Sequence, residues 1–583
     1  MRASSTLLVL SFTLLAAPLQ AGLSLPSFFS EGMVLQRERD AAIWGQADPG
    51  ARVTVTFQGR SATATADPAG TWRAAIPSGP ANATGTTLTV QAGAETVTIP
   101  DVLVGEVWFA SGQSNMYFTM DRVPAYADLI RATNLPGLRF FNAPLVTAVE
   151  PQRDIAGTWI SATPETVPGC SAVAFFFARK LHLDLGIPVA VIKSAWGGKP
   201  VETFTSREAL NTLPGTKALV DALLAEDKVH DPATAQAAYE KNLAAWQAAA
   251  AAWKAKPAAE RGRLPKKPGP PKRPLDTEGR PGVLYNAMIH PFVGYTMRGA
   301  IWYQGEGNAK PDAVPYDQTL PLMIRDWRGR WGDEFSFYYV QLANYRAPSA
   351  APGTPDPWPL LQDRMRLVLA TTPKTGMAII NDTGEADDIH PKNKQDPGER
   401  LALWALAKDY GKELVAYSGP LYRGAEVRDG AVRVTFDQTG AGLKSRDGGA
   451  LKRFEIAGSD RVWHWADAKV DGSDAVLVSS AAVPQPVAVR YAWASNPEGA
   501  NLVNSEGLPA SVFRTDDWKD AETVPVDPAA AAAAARRALG VKIRELAARR
   551  NALSPDTDEW RRVTAELKAL QEQLKASAPA PAR

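Results

Sequence analysis

One cysteine stands in 583 residues, Cys170, so no intrachain disulfide can form. Because it precedes an apolar helical run, it reads as a structural residue. Histidine is almost as scarce, at five, and no histidine cluster or cysteine pair stands at metal-ligand spacing; neither a metal nor an organic cofactor is implied. Charge of one sign is lacking too. The 64 Lys and Arg face 62 Asp and Glu, a net of +2, which gives no reason to expect nucleic acid or an anionic membrane as partner. The basic residues from Lys266 to Arg273 alternate with prolines and read as a solvated linker. At the amino end, Leu7 to Leu15 forms an apolar run between Arg2 and Leu19-Gln20-Ala21. That run is too short to span a membrane and reads as the core of a secretion leader, residues 1–21, cut before Gly22. No cysteine stands at the cut, so no lipoprotein anchor is expected, and the predicted destination is a bacterial periplasm or the exterior.

What is present divides by pattern. Residues 22–101 alternate apolar and polar residues in short runs such as Arg52-Val53-Thr54-Val55-Thr56-Phe57, separated by turns, which predicts a small antiparallel β-sandwich. From 102 to 410 strand-like runs are followed by helical ones, which predicts an α/β domain: a parallel sheet with helices on both faces. An insertion at about 207–280, with the helical stretch Ala235 to Lys256 and the Pro/Lys linker, carries no motif and is expected to flank the cleft. Short strands return over 411–525 as a second β domain. Residues 526–583 read as helix, turn at Ser554-Pro555, helix, with Leu539, Val541, Ile543 and Leu546 set to pair with Leu567, Leu570 and Leu574 in a hairpin. Nothing in these patterns assigns an oligomeric state.

Chemistry concentrates in four short blocks. Gly105-Glu106-Val107-Trp108-Phe109-Ala110-Ser111-Gly112-Gln113-Ser114-Asn115-Met116 is a hydrophobic run that breaks at a glycine and presents one serine between two amides. A serine hydroxyl attacks only when a base takes its proton, so it belongs on a sharp turn that imidazole can reach. The segment Gly384-Glu385-Ala386-Asp387-Asp388-Ile389-His390-Pro391 places two aspartates just before a histidine. A carboxylate there fixes the tautomer of the base and stabilises the imidazolium; Asp387 stands three before His390 and Asp388 two before, and both remain candidates. Elimination supports His390. His182, His290 and His464 have no acidic residue three before them, and His230, which has Asp227, sits in the charged insertion. Two further strand-like runs end in glycine turns, Trp196-Gly197-Gly198 and Gln304-Gly305-Glu306-Gly307-Asn308. Both suit an oxyanion hole, with an amide from Gly198 and a side-chain donor from Gln304.

In this order, Gly112-Gln113-Ser114-Asn115-Met116, Trp196-Gly197-Gly198, Trp302-Tyr303-Gln304-Gly305-Glu306 and Asp388-Ile389-His390-Pro391 resemble the sialate O-acetylesterase family of SGNH-type hydrolases. The similarity runs from Leu25-Pro26-Ser27-Phe28-Phe29-Ser30 to Asn504-Ser505-Glu506-Gly507-Leu508-Pro509. It implies an SGNH-type sheet and hydrolysis of acetyl esters on sugars through a serine acetyl-enzyme. Ser114 would be the nucleophile and His390 the base, with Asp387 or Asp388 third, and the Ser114 amide, Gly197 or Gly198 and Gln304 around the oxyanion. Gln113, Asn115, Trp196, Glu306 and Asn308 are assigned to substrate binding. Relatives often read Gln-Gly-Glu-Ser-Asn where this chain has Gly307, a change expected to alter a substrate contact. The partner implied is an acetylated carbohydrate. Acetylated plant polysaccharide is an alternative substrate, and a protein that chiefly binds carbohydrate, through its many tryptophans, is the reading outside enzymology.

Overall fold

The computed structural model describes residues 22–257, 260–349, 351–519, 528–555 and 557–576. The predicted leader, 1–21, lies outside the described residues. At the centre is a seven-strand layer in the order Thr375–Ala378, Ser336–Val340, Gly299–Tyr303, Glu95–Gly112, Val189–Ala195, Leu135–Asn142, Trp159–Ala162. Every pair in it is parallel except the last, where Trp159–Ala162 runs antiparallel to its neighbour. The run Val107-Trp108-Phe109-Ala110 is fully buried, the signature of a strand covered on both faces. Side chains alternate along a strand, and these two aromatic neighbours report the two faces. Trp108 meets Phe177 of the helix Ala172–Leu185 edge-on at 5.0 Å, whereas Phe109 meets Trp327 of the helix Tyr316–Trp331 at 5.7 Å. Helices therefore cover both sides.

The first helix begins where its sequence allows it to. Ser171 caps it by accepting from the Ala174 amide at 3.2 Å, and Gly186, at φ 68°, ends it. The helix Gln395–Lys408, which follows the histidine loop, packs on it so closely that a side chain at Gly398 would come within 2.6 Å of the Val173 carbonyl oxygen.

The N-terminal β region is not a separate module. Its strand Asn82–Ala92 pairs antiparallel with Glu95–Gly112, and Val34–Gln36 pairs parallel with the same strand at Leu103 to Gly105. The expected boundary between 101 and 102 thus falls inside one 18-residue strand that serves both layers. Pro100-Asp101 at its middle reads as a boundary, but with Asp101 at φ 53° and a shift in the pairing register the strand continues through it.

Past Gly411 two antiparallel four-stranded sheets enclose a second core that includes Val434, Phe436, Ile456, Val476, Tyr491 and Phe513. Leu360, from the helix Pro357–Thr371 of the α/β region, enters that core. The insertion forms the helices Pro214–Lys228 and Pro232–Ala255. In the tail, Pro528–Asn551 and Asp558–Ala576 close as a hairpin around Leu546, Val563 and Leu567; the side chain of Val541 lies outside the described residues.

Candidate active site

Three parallel strands end at one level. Gly112 is registered against Ala195 on one side and Tyr303 on the other, so the residues just beyond each strand, Ser114, Trp196 to Gly198 and Gln304 to Glu306, emerge along a common rim. Gly112 is required there. Its φ is 136°, and a side chain on it would meet the Tyr303 carbonyl oxygen at 2.2 Å. The chain then turns, with the Gln113 amide bonded to that carbonyl, and Ser114 opens a four-residue helix, Ser114–Tyr117.

His390 reaches the same rim from a loop almost three hundred residues later. Its Nε2 lies 2.8 Å from Ser114 Oγ. On the other side of the ring, Nδ1 faces Asp388 Oδ1 at 3.3 Å, and the same oxygen accepts the His390 backbone N–H at 2.9 Å. Asp388 therefore stands two residues before the histidine and still reaches its ring, because the turn folds back on itself. Lys392 donates to the other carboxylate oxygen at 2.5 Å and, with the His390 amide, holds Asp388 below the usual carboxylate range against partial burial. Burial pushes the His390 imidazole below its ordinary value; Asp388 pulls it up, and Lys394 and Lys392 push it down. The net lowering favours the neutral ring, the form able to take a proton.

The amides of Ser114, Gly197 and Gly198 bond no acceptor among the described residues. Gly197 approaches the serine so closely that a side chain there would lie 3.2 Å from Ser114 Cβ, and Gly198 takes φ 70°. Backbone donors are thus free beside the hydroxyl.

No protein-family model matches the chain. Curated relatives do: the sialate O-acetylesterase of Mus musculus is 31% identical over 542 residues, 84% of this chain and 94% of its own. That of Homo sapiens is 29% identical over 516 residues, 82% and 88% of the two chains. The crystal structure of a carbohydrate acetylesterase from Xanthomonas citri matches with a TM-score of 0.70 at 36% identity, covering 85% of this chain and 100% of that one. The chain belongs to the sialate O-acetylesterase family.

In this family member several residues expected at the substrate are turned inward. Gln304, expected as an oxyanion donor, has no exposed surface. Its Nε2 donates to the Lys199 carbonyl at 3.2 Å and to Asn308 Oδ1 at 2.7 Å, while Oε1 accepts from the Tyr316 hydroxyl at 2.7 Å. Both amide hydrogens are committed, so Gln304 braces the rim. Asn308, expected to bind substrate, accepts from the Val201 amide and donates to the buried Glu202 carboxylate. Gln113 accepts from the Gly307 amide at 3.1 Å. Asn115 and Glu306 bond each other at 2.6 Å, and the second Glu306 oxygen is buried without a partner. Asp387 is exposed, and the imidazole pairs with Asp388 instead. Of the expected substrate residues Trp196 and Glu306 are not fully buried, and Lys199 Nζ lies 5.5 Å from the Trp196 ring.

Gly307 has a packing reason. A side chain there would press on the backbone of Lys199 and Pro200 at 3.2 Å, so glycine lets two rim loops close on each other. Two of the other histidines sit elsewhere in structural bonds: His182 to the Ile187 carbonyl, His290 to that of Gln152. Asp227 pairs with Arg273 at 2.6 Å. Lys394 had no signal, since a lysine just before a helix reads as solvated charge; it is fully buried behind the serine.

Proposed function

We propose that this chain is an exported carbohydrate O-acetylesterase that cleaves acetyl esters on sugars through a serine acetyl-enzyme on an SGNH-type sheet. The 2.8 Å approach of Ser114 Oγ to His390 Nε2, with a carboxylate behind the ring, carries the reading. The names of its relatives, sialate O-acetylesterase and carbohydrate acetylesterase, support the substrate class. As Ser114 attacks the acetyl carbonyl, its proton passes to His390 and the new charge falls on the carbonyl oxygen. In this reading the amides of Ser114, Gly197 and Gly198 hold that oxygen. His390 then returns the proton to the departing sugar hydroxyl. Water, deprotonated by the same imidazole, attacks the acetyl-enzyme, releases acetate and restores Ser114. Asp388 supports the imidazolium through both halves of the cycle.

An acidic sugar such as a sialate suits the rim better than a neutral plant polysaccharide. Lys199 lies on Trp196; burial lowers its pKa, Glu278 raises it, and Lys272 and Lys266 of the Pro/Lys linker come near enough to lower it further, so three lysines share this side of the rim with one carboxylate. Lys199 also donates to the Glu278 carbonyl at 3.3 Å, which keeps the linker against the cleft. Export through residues 1–21 belongs to the same proposal. Ser114→Ala should fold as the parent does and release acetate from an aryl acetate at least about a thousandfold more slowly. Unchanged turnover would remove Ser114 as nucleophile. Acetate release over a panel of acetylated sialates, xylans and xyloglucans ranks the substrates, and a preference for neutral polymers would displace the sialate reading.

A further inference from the structure

We propose that Lys394 is a positioning residue of the esterase: through Asn115 it ties the serine turn to the histidine loop, and it sets the charge beside the imidazole. The inference rests on Ser114 and His390 acting as nucleophile and base. Lys394 Nζ donates to Asn115 Oδ1 at 2.5 Å. The amide nitrogen of Asn115 donates in turn to Glu306 Oε1 at 2.6 Å and to the Ile389 carbonyl at 3.1 Å. One side-chain amide therefore joins the residue after the nucleophile, the residue before the base, and the loop that leaves the strand Gly299–Tyr303. Lys394 supplies the bond that fixes which way this amide points, since its ammonium can only donate.

A buried ammonium is costly unless something compensates it. Lys394 has no exposed surface. Its Nζ lies 4.8 Å from the Phe118 ring and 5.7 Å from that of Tyr303. The charged groups around it are Glu306 from the rim, and Asp388, Lys392 and Glu385 from the histidine loop. Tyr126 approaches from a third element, its hydroxyl accepting the Lys394 backbone amide at 2.9 Å. Burial lowers Lys394 to about 7, so it is a cation throughout the acidic range in which His390 gains its proton. There it acts against Asp388. The carboxylate favours imidazolium, while Lys394 and Lys392 disfavour it. The His390 ring lies over Phe118 at 6.3 Å, on which Lys392, Lys394 and Arg122 also converge. Aromatic packing thus holds base and cations in one cluster.

The experiment compares pH profiles of acetate release for the parent, Lys394→Met and Asn115→Ala, with folding checked by circular dichroism. Lys394→Met should move the acidic limb of kcat/KM to higher pH and lower plateau kcat roughly tenfold or more, with KM little changed. Lys394→Arg, which restores the charge, should return the limb towards the parent position. Asn115→Ala keeps the charge and cuts the tie, so kcat should fall while the limb stays in place. An acidic limb unmoved in Lys394→Met overturns the electrostatic role. Full kcat in Asn115→Ala overturns the tie, and decides it should Lys394→Met not fold. A parent enzyme that releases no acetate from any ester strikes the esterase reading itself, whereas an active parent with unaltered variants strikes only this inference.

Discussion

Asp388→Asn against Asp387→Asn is the sharpest test of how the base is supported. Asp388 Oδ1 stands 3.3 Å from His390 Nδ1, with the two side chains 39% and 33% exposed. Between charges that accessible to water the effective dielectric lies near that of solvent or about half of it. The carboxylate then stabilises an imidazolium by about 1.3 to 2.5 kcal/mol. The bond from Lys392 to the other oxygen draws off part of that, so a loss of roughly ten- to fiftyfold in kcat/KM is expected for Asp388→Asn. The sign of the pH effect is fixed too. Asp388 raises the pKa of His390, so removing its charge should carry the acidic limb of the profile to lower pH. Asp387 is exposed and apart from the ring, so Asp387→Asn should stay within about twofold of the parent. Stopped-time acetate assays from pH 4 to 9, with an aryl acetate, read both quantities. An Asp388→Asn enzyme at parental rate with an unmoved limb, or a larger loss from Asp387→Asn, would refute the reasoning.

Two other predictions follow from buried groups away from the hydroxyl. Gln304→Ala removes two donated bonds and one accepted bond from a fully buried network and leaves a cavity where the amide stood, so the variant should lose about 2 to 4 kcal/mol by urea denaturation. A parental midpoint together with a hundredfold loss of kcat would instead restore Gln304 to the oxyanion. Glu106 is fully buried between Gln36, Arg37 and Arg298, with Arg298 Nε at 2.8 Å. Burial alone would raise its carboxyl, yet the hydrogen bonds and charges of these partners hold it below 4.5. A depressed carboxyl contributes stability that is present above its unfolded value and lost as pH falls through the folded one. Glu106→Gln should therefore cost about 3 kcal/mol or more at pH 7 and lose less on acidification below about pH 4.5. A variant as stable as the parent at pH 7 would contradict this.

The serine and the histidine were legible because each lies at a break in local pattern: a glycine ending an apolar run, and a doubled acid before an imidazole. Alternation of strand-like and helical runs was equally readable, and it gave a parallel sheet covered on both faces. The choice between Asp387 and Asp388 was not legible, since both spacings exist in the text of the chain and only the fold of the turn decides which carboxylate reaches the ring. Gln304 was assigned to the oxyanion, and Asn308 and Asn115 to substrate, for a related reason. A polar side chain just past a strand end looks the same whether it faces the cleft or knits the loops beneath it. Lys394 left no pattern at all, and the run ending at Gly112 did not show that its strand reaches back to Glu95, because burial of a charge and reuse of a strand are properties of the whole fold.

That strand gives the molecule a shared spine. Its first half is hydrogen-bonded into the front β layer and its last residue, Gly112, makes the turn that presents Ser114 two positions on, so the front layer cannot be cut away as one would trim a binding module. Removing it would strip the lateral support from the very rod whose tip must be held to within a fraction of an ångström, and force along one end would be felt at the other.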